Sequence, residues 1–341
     1  MCIKGEHEIY CCGARVRISE YDGVEVLTEP LVKYCPLHES LYGTERIDRE
    51  SVRRSVESKI SGFGFCCGSR AFNAEPIVAY GASEMMRVWL EDGLVDCAVV
   101  VCEGAGTVVT TNGKLVQGIG ARLTGIIRTS PIRKVVERVE AAGGVVLDKA
   151  TARIDQVEGV KRAADLGFKH VTVSVAGFQA KAISAVRHLE ADASVDALIF
   201  SVCNTCVGKA DVKHIAEADI VCASASKMLR ENIGAEALLQ LGVTIPVYAL
   251  TQKGKRLVLA YLARFEDRLV VFRTGKLPYL AERRGPRLRN SNTDDKKLRK
   301  RVGGRVDRRE ERKDTSPLAC PHCGASVPPN SNFCPNCGKK Q

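Results

Sequence analysis

Near the carboxyl end stand four cysteines in two pairs, Cys320-Pro-His-Cys323 and Cys334-Pro-Asn-Cys337, with ten residues between the pairs. Thiolates at this spacing can close tetrahedrally around one zinc ion. A glycine follows each pair (Gly324, Gly338) and admits the positive φ that turns backbone N–H groups toward the sulfurs. Residues 318–341 are therefore expected to form a zinc ribbon in which Cys320, Cys323, Cys334 and Cys337 hold one structural ion. So short a segment buries little apolar surface, and the metal supplies most of its folding free energy. An adaptor for a protein partner is the role that suits it.

The chain has 15 cysteines, so eleven lie outside the ribbon. Cys203-Asn204-Thr205-Cys206 follows an apolar run and precedes a helical pattern. A CxxC there can ligate a metal or act as a dithiol, its first thiol acidified by the helix N-terminus. Asn204 and Thr205 offer polar groups to the same place and are ligand-binding candidates. Cys11-Cys12, Cys35 in Tyr34-Cys35-Pro36-Leu37-His38, and Cys66-Cys67 form an N-terminal thiol set. If that segment folds over the rest, these thiols meet Cys203 and Cys206 and offer soft ligands for an iron–sulfur cluster or another metal. No single spacing specifies such a set. Cys97, Cys102 and Cys222 lie in apolar runs and read as small buried hydrophobes.

Two glycine-rich segments are candidates for phosphate binding: Glu103-Gly104-Ala105-Gly106-Thr107 and Gln117-Gly118-Ile119-Gly120-Ala121-Arg122. Turns of this kind can cradle a phosphate or pyrophosphate, with Arg122 and Lys114 as counter-charges. They match neither GxGxxG nor GxxxxGK[ST], and plain tight turns account for them equally well. Cofactor-binding candidates are thus Glu103, Gly104, Gly106, Thr107, Gly118, Gly120, Arg122, Cys203, Asn204, Thr205 and Cys206. Asp155-Gln156-Val157-Glu158 reads as a helix start with a capping box. No catalytic set such as Ser-His-Asp stands out.

The elements that must position these residues follow from periodicity. From Ala82 to Leu250, amphipathic stretches alternate with short continuous apolar runs such as Cys97-Ala-Val-Val-Val-Cys102. Each change of period reads as one β/α unit. Right-handed crossovers then give an α/β fold: a mostly parallel, Rossmann-like sheet with helices on both faces. Ligands of such a sheet bind beyond the carboxyl ends of its strands. Residues 1–80 read as a small β-rich cap, with extended segments Glu8–Ile18 and Val24–Leu31 joined at Tyr21-Asp22-Gly23. The α/β body spans 81–282.

The formal charge of +11 is localised. Between Arg283 and Lys313 stand fourteen basic and five acidic side chains, a surplus of nine. Residues 283–317 are accordingly expected to be a disordered basic linker. The near-neutral body gives no global reason to expect a polyanionic partner; the linker and ribbon are the only place for nucleic-acid or ribosome association. No run reaches the roughly twenty apolar residues a spanning helix needs, and a cytoplasmic protein without a membrane partner is expected.

Val101-Cys-Glu-Gly-Ala-Gly-Thr-Val108, Gln117-Gly-Ile-Gly120 and Ile154-Asp-Gln-Val-Glu-Gly-Val160 resemble the methanogenesis marker protein eight family of archaea. Tyr34-Cys-Pro-Leu37 and Tyr80-Gly-Ala-Ser-Glu84 fit the same pattern, so the resemblance covers roughly residues 5–275. It implies an anaerobic archaeal setting and a link to methane metabolism, with no catalytic residue to carry over. The expected function is that of an accessory protein. It would bind a small ligand or cofactor at the sheet crevice and assist maturation of a metalloenzyme. The competing expectation is an enzyme acting on a phosphorylated or carboxylated small molecule.

Overall fold

The computed structural model describes residues 2–122, 124–281 and 284–289, together with 318, 319, 321, 326 and 327. The chain divides into two units, Met1–Asn290 and Ser291–Gln341.

The first unit opens with β1 (Glu6–Cys11), β2 (Ala14–Ser19), β3 (Gly23–Val26) and β4 (Val32–Tyr34), then α1 (Pro36–Tyr42), α2 (Arg49–Phe63) and α3 (Ala82–Glu91). Next come β5 (Cys97–Cys102), β6 (Gly106–Thr110), α4 (Gly113–Gly120), β7 (Gly125–Thr129), α5 (Arg133–Ala141) and β8 (Gly144–Val146). They are followed by α6 (Gln156–Asp165), β9 (His170–Ala176), α7 (Lys181–Ala193), β10 (Asp196–Val202), α8 (Val212–Ile215) and β11 (Ile220–Cys222). The unit closes with α9 (Lys227–Asn232), β12 (Leu239–Leu241), β13 (Val247–Ala249), α10 (Gln252–Leu262) and β14 (Arg287–Leu288).

Eight strands form the central sheet in the order β12-β13-β11-β10-β9-β5-β6-β8. The core strands β5, β9, β10 and β11 pair in parallel. β6 and β13 run against both of their neighbours, so the other six strands share one direction. The sheet is mostly parallel, as the alternation of periods predicts. Its apolar runs serve two cores because strand side chains alternate faces. In β10, Leu198 and Phe200 join Met85, Trp89 and Val258 on one face. Ala197 and Ile199 join Val160, Ile183 and Leu229 on the other. Helices thus cover both faces.

The reversal at β6 is local in origin. Glu103-Gly104-Ala105 is the tip of a hairpin in which Cys102 faces Gly106, and both glycines take positive φ. The first glycine-rich segment is therefore a hairpin turn between strands and does not open a helix.

A four-stranded antiparallel sheet, β3-β2-β1-β7, makes the cap. Its fourth strand comes from the body, with His7 opposite Thr129. The cap is thus not separable at residue 80. The extended stretch Glu8–Ile18 is also interrupted, because Cys12-Gly13 turns β1 back into β2, with Cys11 paired to Ala14. Its core holds Ile9, Val16 and Ile18 against Val52 and Val56 of α2. Composition assigns Arg287 and Arg289 to the linker, yet β14 pairs with β4. Arg287 lies over the Tyr34 ring, and Arg289 donates to the Pro30 carbonyl. Cys2 and Cys67 are joined as a disulfide, which removes Cys67 from the expected set of ligand thiols.

In the second unit, Leu318–Ala319 pairs antiparallel with Ser326–Val327. The expected zinc ligands Cys320, Cys323, Cys334 and Cys337 lie outside the described residues. Among the described residues, no helix is long and apolar enough to cross a membrane.

Candidate functional site

The carboxyl ends of β10 and β11 lie side by side, and the chain leaves them through Cys203 and Cys222. Cys203 adopts φ 53° and turns the chain into a single 3-10 turn over Asn204–Cys206. The tip of the β1–β2 hairpin comes down on that turn. Cys206 Sγ lies 3.9 Å from the Gly13 carbonyl oxygen, and a Cβ built on Gly13 would stand 3.2 Å from the Thr205 methyl. β7 approaches through Gly125, whose missing Cβ would lie 3.3 Å from that of Cys203. Tyr10 packs on Phe178 with ring centroids 5.2 Å apart, which fixes the cap over the end of β9. The cap therefore closes the crevice where a parallel sheet presents its ligands.

Two cap helices complete the wall. α1 begins after Cys35 and carries His38 and Tyr42 one turn apart, their ring centroids at 4.8 Å. α2 turns inward a stripe of Ser51, Val52, Ser55, Val56 and Lys59. Cys11 Sγ lies 3.6 Å from Ser55 Oγ. Lys59, 6% exposed, interacts with the sulfurs of Cys11 and Cys12. Cys203 interacts with Cys222, Cys206 and Cys11, and Cys35 with Cys12 and Cys222. Six cysteines thus share one crevice with a buried lysine.

Their electrostatics differ sharply. Burial pushes Cys203 up to about 12 and Cys206 up to about 11. Cys35 and Cys222 are also raised by burial. Cys11 goes the other way: the Cys12 thiol donates to its sulfur, and Lys59 adds an opposite charge. Cys12 is raised by the same hydrogen bond. Burial pulls Lys59 down, but Cys11 and Tyr42 more than offset it and hold the ammonium above its ordinary value. The crevice therefore favours the thiolate at Cys11, beside the Lys59 ammonium, and disfavours it at the five thiols around them.

Residues 7–263 match the family described as "Uncharacterized protein conserved in archaea (DUF2099)". The chain belongs to this family. An uncharacterised protein of Methanocaldococcus jannaschii is 41% identical over 249 residues, which cover 72% of this chain and 86% of that one. Residues 320–341 match a zinc-ribbon domain, consistent with zinc binding there. The DUF2099 match begins within β1 and ends past α10, so it spans both the cap and the sheet that form the crevice.

Within this DUF2099 protein the other sequence candidates are engaged structurally. Glu103 is buried and paired with Arg70. The Gly104 N–H donates to Thr129 Oγ1 at 2.7 Å. Gly106 lies against the carbonyl of Ala152. Thr107 Oγ1 donates to Gln156 Oε1 and accepts from the Asp155 N–H. The second glycine-rich segment is no turn: Gly118 and Gly120 belong to α4, where the missing side chains let the helix meet Phe72 and Ser83. Lys114, expected beside Arg122 as a counter-charge, is exposed in the first turn of α4. Asn204, a ligand-binding candidate, is fully buried and directed inward. It donates to the Cys222 carbonyl, accepts from Ser201 Oγ, and its backbone N–H donates to Ser224 Oγ. It ties the two loops of the crevice together.

Of the expected thiols, Cys11 interacts with Cys203, and Cys12 and Cys35 join the cluster through Cys11 and Cys222, while Cys66 and Cys67 lie elsewhere. Cys66 sits with Cys102 beside the Arg70–Glu103 pair. Cys222 lines the crevice although its strand is apolar. Lys59 and Tyr42 had no motif to mark them, and His38 stood out only as the end of the run Tyr34-Cys35-Pro36-Leu37-His38. The available signal was the α2 stripe itself, in which Lys59 falls three residues after Val56 and four after Ser55, on the buried face.

The six sulfurs suit a soft metal chemically. Their placement does not: among the described residues, no three His, Cys, Asp or Glu side chains are set to hold one metal ion. The iron–sulfur expectation finds donors here without a cage. A cavity of 310 Å³ lies at the opposite end of the sheet, lined by His170, Asp196, Lys253 and Leu257 among others. There Lys253 is bonded to Asp196 and to the Ala197 carbonyl.

Proposed function

We propose that this protein is an accessory factor of methane metabolism. In this reading it binds a small ligand or cofactor between the cap and the carboxyl ends of β10 and β11, and assists maturation of a metalloenzyme. The zinc ribbon serves as an adaptor for a protein partner. One observation carries the ligand-binding reading: cysteines from two cap segments and two strand ends gather in one crevice, where Cys11, Cys12 and Cys203 interact with buried Lys59. Thiols that matter only as small hydrophobes have no reason to gather around an ammonium group. The setting is supported by the family resemblance and by the relative in Methanocaldococcus jannaschii. An enzyme that cradles phosphate in backbone turns at 103–107 and 117–122 is less favoured, because these are a hairpin turn and a helix end. Native mass spectrometry of the full chain, purified without oxygen, tests the proposal. Expected is a ligand mass beyond the polypeptide and about one zinc ion, absent from Lys59→Met and from Cys203→Ser. A wild-type chain carrying zinc alone would sink it.

A further inference from the structure

Beyond Lys59, which faces Cys11, the crevice holds a buried guanidinium that its own side chains do not neutralise. Arg122 is 3% exposed, and its Nε and one terminal nitrogen have no hydrogen-bond partner. His38 is 5% exposed, and both of its ring nitrogens lack a partner. Among the described residues, neither Lys59 nor Arg122 lies within ion-pair distance of a carboxylate. The nearby Glu103 already pairs with Arg70.

These groups face one place. Arg122 lies over the Phe63 ring, 3.6 Å from its centroid. Phe63 is one helical turn beyond Lys59 on α2, so guanidinium and ammonium are neighbours on one helix face. Their interaction is repulsive, and Tyr42 interacts with both. His38 packs on Tyr42 and feels the Lys59 charge. Leaving donors and cations buried without partners is costly, and proteins retain such groups where a ligand completes them.

We propose that Arg122, Lys59 and His38 form an anion site that takes an oxyanion group (phosphate, sulfate or carboxylate) of the ligand bound in the crevice. The proposal rests on the crevice being a ligand site and names the chemistry of that ligand. The planar fork of Arg122 offers two free N–H directions to two oxygens of one group, which an ammonium cannot imitate. Lys59 supplies charge, and His38 offers a ring N–H at the same position. Neutral His38 suffices for this, since one of its nitrogens always carries a proton.

Calorimetric titration of the full chain with inorganic phosphate, sulfate and acetate, at constant ionic strength and without oxygen, tests the site. Wild type is expected to bind at least one of them near one per chain. Arg122→Gln should weaken that binding by at least roughly tenfold. Arg122→Lys should fall between the two, and exposed Lys4→Gln should leave binding unchanged. Because two buried nitrogens of Arg122 lack hydrogen-bond partners, unliganded Arg122→Met, which keeps an apolar contact with Phe63, should unfold at a higher temperature than wild type, so a folded variant is available. No binding of any anion by wild type overturns the site. So does binding by Arg122→Gln within about twofold of wild type, or a lower unfolding temperature for Arg122→Met. If these fail while the Lys59- and Cys203-dependent ligand mass persists, the crevice stands as a ligand site and the anion assignment falls.

Discussion

Glu103 and Arg70 face each other out of water, their side chains 1% and 0% exposed. Arg70 also donates to the carbonyls of Ala71 and Gly118, so one guanidinium joins the β5–β6 turn to α4. The cost of removing one charge of such a pair comes mainly from the charge left behind. Arg70→Met should therefore destabilise the first unit by about 3–5 kcal/mol. Arg70→Met combined with Glu103→Met should recover most of that loss. Urea denaturation of the three chains measures it; a double variant no better than Arg70→Met contradicts this account.

His38 makes stability depend on pH. Burial, and then the Lys59 charge, lower its folded-state pKa to about 4 from 6.5. Between these values the unfolded chain binds more protons than the folded one, so stability rises with pH across the window. It is lost as pH falls from 6.5 through 4. His7, also lowered by burial, acts in the same sense. Cys11, held low by the Cys12 thiol and Lys59, adds a loss of the same sign. The decisive quantity is thus a difference: His38→Phe should show a shallower decline of urea midpoint with falling pH than wild type. Parallel curves for the two chains would remove His38 from the account.

The fold was legible where one chemical signal had one meaning. Continuous apolar runs separated by amphipathic stretches could only be buried strands with crossover helices, and β5, β9 and β10 appear where the period changes. β6 and β7 were not legible. Thr107-Val-Val-Thr110 follows its turn without polar alternation, and β7 is a strand only because β1 offers it an edge 120 residues away in sequence. The site failed differently. Cys11 meets Cys203, and Cys35 meets Cys222, through tertiary folding, which no spacing encodes. Cys66 shares their composition yet lands beside Arg70. Lys59 stands on a charged helix, and only its phase relative to Val52 and Val56 marks it as inward.

Gly106 and Gly143 separate two costs of adding a methyl group. Both take positive φ, +73° and +82°. Around Gly143 nothing lies within 4 Å of a built Cβ, whereas at Gly106 the Ala152 carbonyl oxygen would be 2.3 Å away. Gly143→Ala should cost only the backbone strain, about 1–2 kcal/mol. Gly106→Ala should cost clearly more, since backbone must move and the Thr107 N–H bond to the Arg153 carbonyl is adjacent. Equal thermal unfolding midpoints for the two variants would show that the hairpin yields freely.

Asn204 offers a test of whether the crevice is preorganised. Asn204→Ala leaves the Cys222 carbonyl without its 2.8 Å donor and Ser201 Oγ without its acceptor. A loss of about 1–3 kcal/mol is expected from unsatisfied buried groups. Because the side chain links the β10 and β11 loops, accelerated hydrogen exchange should be confined to residues around 203–206 and 222–224. Exchange that spreads evenly over the sheet would mean that Asn204 supports global stability and not the crevice in particular.

Zinc removal should separate the two units of the chain. The ribbon match lies wholly within Ser291–Gln341, while the cap, the sheet and the crevice belong to Met1–Asn290. A small metal-folded module loses its structure when its ion is withdrawn, because the apolar surface it buries is too small to replace the metal. A strong chelator should therefore release about one zinc per chain and leave the main calorimetric transition in place. Truncation after Asn290 should do the same, provided β14 is retained to pair with β4. A shorter truncation before Arg287 should lower the transition temperature, since it uncovers the β4 edge and removes Arg287 from the Tyr34 ring. If chelation instead melts the main transition, the body depends on metal and the division of labour drawn from the two units is wrong.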